Sequence, residues 1–144
     1  MITKEITIAG KTVTIGYCYA TEIAYKLNAD EEITDFMLEA IPTIQQQRMP
    51  DAKKVMLLII ASITSYYESI KKDGEESKAP ITDRDIMYDA TSEEIGKALG
   101  DIITMRAEFY KMPNGEPQDK PKDGDDNPKN DYPPTITISY SLAK

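Results

Sequence analysis

The chain has 144 residues, of which 40% are hydrophobic and 29% charged, the size and balance of one globular domain with a real core. Its 25 acids outweigh its 17 bases for a net charge of -8, and no run of Lys and Arg exceeds two, which argues against a surface tracking nucleic-acid phosphates or anionic lipid. Histidine is absent and Cys18 is the only cysteine, which excludes an intramolecular disulfide, a Cys/His zinc site and the commonest general base near neutral pH.

The first residues show no basic segment running into an apolar one, so no signal peptide is expected. Residues 2–19 read as a β-hairpin. Ile6 and Ile8 alternate with Glu5 and Thr7, then Val13, Ile15, Tyr17 and Tyr19 alternate with Thr12, Thr14, Gly16 and Cys18. Ala9-Gly10 supplies the turn, where glycine takes a positive φ freely.

The period then changes from two to three and four. Ala20, Ile23, Ala24 and Leu27 share one face of a helix that Asn28 is placed to stop. Ile33, Phe36, Met37, Ala40 and Ile41 stripe a second helix, with Asp30, Glu31 and Glu32 at its positive end and Pro42 closing it. A polar connection over 43–50 leads to the longest helix, about Asp51 to Lys72. The stretch Val55 to Ala61 is the most apolar of the chain, but hydroxyls and Glu68 follow it and a span needs roughly 20 apolar residues, so it predicts the central helix of a bundle.

After a charged loop over 73–80, Thr82 and Asp85 mark a short helix. Thr91 with Glu94 forms a capping box opening a last one, with Ile95, Leu99, Ile102, Ile103, Arg106 and Phe109 along one stripe. The expected core includes Ile23, Leu27, Phe36, Met37, Leu57, Leu58, Ile60, Ile95, Leu99 and Ile102. Residues 113–134 hold six of the nine prolines among Asp, Lys, Asn and Gly, the composition of an acidic linker. Residues 135–144 carry the cleanest period-two alternation in the chain, with Ile136, Ile138, Tyr140 and Leu142 on one side. The fold expected is therefore mainly α. Residues 1–112 make a helical bundle with an N-terminal β-hairpin, whose sheet the C-terminal strand can join in cis or extend in a neighbouring subunit.

Candidate chemistry is sparse. Asp123, Asp125, Asn127 and Asp131 resemble calcium-loop spacing, but Pro128 and Pro134 fall where such a loop needs Gly and Glu, so a solvated linker is the better reading. The acids at 30–35 and at 83, 85 and 89 sit where helix starts favour negative charge. Cys18 has no histidine to activate it. Gly96 and Gly100 lie within a helix without a phosphate-loop signature, which suggests close helix packing. No catalytic residue, metal site or cofactor is expected, and the chain reads as a non-enzyme. Two features point to protein partners. Tyr66 and Tyr67 are adjacent on a helix and cannot both face one core, so one is expected at the surface unless both are partly buried. The second is the apolar row at 136, 138, 140 and 142.

The opening Ile6-Thr7-Ile8-Ala9-Gly10-Lys11-Thr12-Val13-Thr14-Ile15, leading into Ala20-Thr21-Glu22-Ile23-Ala24-Tyr25-Lys26-Leu27, resembles the start of phage tail assembly chaperones. Those small acidic proteins carry a short hairpin followed by a helical body. The resemblance implies a chaperone of the tape-measure protein, forming homo-oligomers around that substrate in the host cytoplasm, often with a longer frameshifted product. It carries no catalytic motif to transfer, and the proline-rich tail ending in a strand is not part of the family pattern. The alternative is a small virion structural protein that uses its C-terminal strand to contact neighbouring subunits.

Overall fold

The period-two pattern of the N-terminus folds as an antiparallel hairpin of β1 (Ile2–Ile8) and β2 (Lys11–Tyr17), in a register that sets Ile6 opposite Val13 and Ile2 opposite Tyr17. This computed structural model describes residues 1–76 and 78–111, so the linker over 113–134 and the strand over 135–144 lie outside the described residues. At the turn both Ala9 (φ 53°) and Gly10 (φ 74°) are left-handed, the pairing that matches strand twist in a two-residue hairpin. Ile6, Ile8, Val13, Ile15 and Tyr17 are buried. Lys4 and Lys11 share their face at its margins, and reach Asp101 at 2.9 Å and Asp85 at 3.1 Å.

Five helices follow among the described residues: α1 (Tyr19–Ala29), α2 (Ile33–Gln45), α3 (Ala52–Ile70), α4 (Asp83–Asp89) and α5 (Ser92–Phe109). The protein is thus mainly helical with an N-terminal hairpin. β2 and α1 both pack on α3, while β1 packs on α5, so α3 is the central element. The side chain of Asp51 caps α3 by accepting from Lys54 N at 3.1 Å. Val55, Leu58, Ile59 and Ile63 fill the core from it. Its buried Ser62 and Ser65 cost little, because each hydroxyl donates to a carbonyl one turn earlier. Thr82 and Thr91 close reciprocal capping boxes with Asp85 and Glu94 at the starts of α4 and α5. Among the described residues no helix is long and apolar enough to cross a membrane.

Three sequence expectations are corrected. Ile23 and Leu27 are not core residues: they lie outside, and the inward row of α1 is Thr21, Tyr25 and Ala29. The Thr21 hydroxyl sits 3.0 Å from both Gly16 O and Ser65 Oγ, and accepts from Cys18 N at 3.2 Å. Tyr25 buries its ring against Phe36 and donates its hydroxyl to Glu31 at 2.7 Å. Both side chains satisfy their polar atoms inside, so apolar surface alone did not choose the face. Pro42 does not close α2, which continues through it to Gln45. Falling in the last turn, it removes one backbone bond, to the carbonyl of exposed Leu38, where water can substitute. Finally, Phe36, Met37, Leu58, Leu99 and Ile102 are buried as expected, whereas Leu57, Ile60 and Ile95 are half-buried at the edge of the core.

Candidate functional site

Two apolar surfaces stand out, both on elements whose inner faces are already committed to the core. The first is the outside of α1. Residues four apart stack along a helix, so its surface divides into rows. With Thr21, Tyr25 and Ala29 turned inward, the row Tyr19, Ile23 and Leu27 is turned out, exposed by 63%, 60% and 78%. Scattered apolar residues are normal on a surface, but three large ones in one row form a patch.

The second is a groove of about 390 Å³ between the end of α2 and α5. Ile44, Met49, Leu99 and Ile103 wall it, with Gly96 and Gly100 along the α5 side and Gln47 and Arg48 completing the lining. The glycines do not serve the close helix packing expected of them. A Cβ at Gly100 would meet nothing within 4 Å, and at Gly96 only the tip of Met49, 3.8 Å away. Their missing side chains are what keep the groove open. Among the described residues its lining is mainly apolar, with Gln47 and Arg48 the polar members, which suits contact with an apolar partner surface.

The α1 surface is held in place by a cluster at the end of α5. Glu22 accepts from the Tyr17 and Tyr110 hydroxyls at 2.7 Å, and Arg106 Nε lies 3.8 Å from it. That buried Nε makes no hydrogen bond, while the Arg106 Nη2 donates to Thr34 at 3.0 Å, tying α5 to α2. Phe109 sits edge-on to Tyr17 at 5.6 Å and to Tyr19 at 5.1 Å. Burial, then the bond to Glu22 and its charge, push the Tyr17 and Tyr110 phenols well above the usual tyrosine value; Arg106 opposes the shift.

The residues nominated from sequence fall as follows. Tyr66 and Tyr67 are both half-buried, with rings edge to face at 4.9 Å. They lean on β2: Thr14 N donates to the Tyr67 hydroxyl at 3.2 Å, and Gly16 makes room for Tyr66. Neither joins the α1 surface or the groove; Tyr67 borders a separate polar recess with Lys71, Glu75 and Lys78. Ile136, Ile138, Tyr140 and Leu142 lie outside the described residues, as does the calcium-like segment at 123–131.

Cys18 is half-buried at the start of α1. Of the acids, Glu31 holds Tyr25 and Lys54, Glu32 pairs with Lys26, and Asp85 is engaged by Thr82 and Lys11. Among the described residues no three His, Cys, Asp or Glu side chains converge to hold a metal ion. The groove had a trace in the sequence, the two glycines four apart. The α1 surface had one in Ile23 and Leu27, read with the wrong sign. No protein-family model, no curated protein and no solved structure matches the chain.

Proposed function

We propose that this chain is a phage tail assembly chaperone, which binds a helical segment of the tape-measure protein in the groove between α2 and α5. The observation that carries the reading is that groove: mainly apolar, open, and bordered by glycines that let a partner backbone approach. The order of the body supports it, since the motif residues Ile6, Ile8, Val13 and Ile15 close a hairpin onto helices as the resemblance implies. An apolar groove on an acidic chain also suits a client whose own apolar stripe must be kept from aggregating.

The reading expects a tape-measure gene just downstream, and the test is co-expression with its product, followed by affinity capture. The wild-type chain should retain the client. Gly100→Leu should lose it, because the new side chain fills open space in the groove without disturbing the fold. Capture by neither protein sinks the chaperone reading, whereas equal capture by both moves the client to another surface. Purified particles separate the alternative, since a chaperone leaves the finished tail and a structural protein stays in it.

A further inference from the structure

The outside of α1 carries more pattern than exposure alone. The raised row Tyr19, Ile23 and Leu27 runs beside a low row of Ala20, Ala24 and Asn28, whose amide is folded back onto the carbonyl of Ala24 at 2.9 Å. On the other flank Glu22, Lys26 and Asp30 carry the charge, with Glu22 and Lys26 already held by Tyr110 and Glu32. A tall row of residues four apart beside a low one is half of a ridges-into-grooves contact, and this half is complementary to itself.

We infer that α1 is a self-association surface and that its occupant is a second copy of this chain, related by a two-fold axis that passes beside Ile23, between the raised row and the alanine row. Symmetry then runs the two ridges antiparallel and side by side, with the Ile23 side chains adjacent across the axis and Tyr19 of each copy toward Leu27 of the other, and seats each ridge in the other's alanine row. A crossing near -50° follows from pairing rows of this spacing.

Area and preorganisation both favour this occupant. At roughly 200 Å² for a large side chain, the observed exposures leave about 400 Å² uncovered on three residues. That supplies about half of the ~800 Å² per partner in a standard interface, close to the usual apolar share once the flanking polar rows are counted. Tyr19 is backed by the rings of Phe109 and Tyr110, at 5.1 and 6.5 Å, so one end of the ridge is set before association and less ordering is lost. The α1 surface shares no residue with the groove that the tape-measure reading uses, so the two can fail separately.

Sedimentation of the full chain across a micromolar dilution series tests it. The wild type should show a concentration-dependent dimer. Ile23→Glu combined with Leu27→Glu should weaken it at least about tenfold with an unchanged circular dichroism spectrum, since both side chains are exposed. Ile23→Cys in a Cys18→Ala background should give a covalent dimer on mild oxidation, while Glu93→Cys in that background should not. Gly100→Leu should leave the dimer intact, which separates failure of this surface from failure of the groove. A wild type that stays monomeric, a closed assembly other than a dimer, or a dimer indifferent to the α1 substitutions overturns the inference.

Discussion

The two ends of α5 are fastened to the N-terminal half of the chain by opposite kinds of chemistry. At its start Glu94 accepts from Thr91 N, closing the cap, and also from Ala9 N at 2.9 Å and Gly10 N at 3.4 Å, so one carboxylate holds both the helix and the hairpin turn. At its end aromatic rings and two phenols gather on Glu22, with Arg106 alongside. The first fastening is part-buried at Ala9 and exposed at Thr91 and Gly10, and it depends on a charged carboxylate accepting backbone N–H groups. The second is partly dry and depends on phenols remaining protonated. A helix held this way responds to acid at one end and to alkali at the other, and its middle, where Leu99, Ile102 and Met105 are buried, serves as the reference for both.

The largest effect belongs to that middle. Ile102→Ala removes a fully buried side chain and should cost about 2–5 kcal/mol, with amide protection falling at both ends of α5 together. If one end keeps its protection, the ends are not coupled through the core. Tyr17→Phe comes next: it strips a hydrogen bond to a carboxylate, worth roughly 1.5–3 kcal/mol, and should free the end of α5 first. Thr91→Ala should cost about 0.5–2 kcal/mol and loosen the start of α5 and the Ala9–Gly10 turn, leaving the Tyr110 end protected.

Titration sharpens the contrast. The N–H groups of Thr91, and then of Ala9 and Gly10, hold the Glu94 carboxyl below its ordinary value. A group depressed in the folded state adds stability above its unfolded value and loses it as pH falls, so the start of α5 should loosen below about pH 4. Tyr17 and Tyr110 are raised, so their contribution is complete below the unfolded value and fades as pH climbs past about 10. Glu94→Gln should blunt the acid arm and spare the alkaline one. Tyr17→Phe with Tyr110→Phe should do the reverse, leaving a residue of alkaline sensitivity from Tyr25, which burial and Glu31 also raise. Melting curves across pH decide it, and equal blunting of both arms by either variant refutes the division.

Much of this frame was legible because local rules and tertiary burial agreed. The hairpin alternates in sequence as it does in burial, and the boxes at Thr82 and Thr91 are fixed by residues three apart. What could not be read was set over long separations. Glu94 satisfies its cap whether or not a turn arrives above it, and nothing near Glu22 announces two tyrosines and an arginine from elsewhere. The glycines at 96 and 100 were visible, but whether a helix or a void lies over them depends on where Ile44 and Met49 end up. That difference gives a small prediction of its own. Gly100→Ala should raise stability by about 0.5–1 kcal/mol, since the helix gains a better former and the methyl meets nothing; a loss would mean the space is filled.

The smallest expected effect is also the most discriminating about α1. Hydropathy placed Ile23 and Leu27 inside, and by that logic Ile23→Ala would open a cavity at a cost of several kcal/mol. The structure reverses the expectation, because Thr21 and Tyr25 occupy the inner row and complete their hydrogen bonds there. Ile23→Ala, measured in samples dilute enough to be monomeric, should therefore change unfolding free energy by no more than about 0.5 kcal/mol, with alanine's better helix propensity offsetting the little packing lost. Thr21→Val in the same assay should cost more, since the backbone N–H of Cys18 and the carbonyl of Gly16 would lose their partner in a buried place. The two substitutions rank the faces of one helix. Should Ile23→Ala prove the more damaging, the helix is turned the other way, its apolar row is in the core, and no outer ridge exists for a second copy to meet.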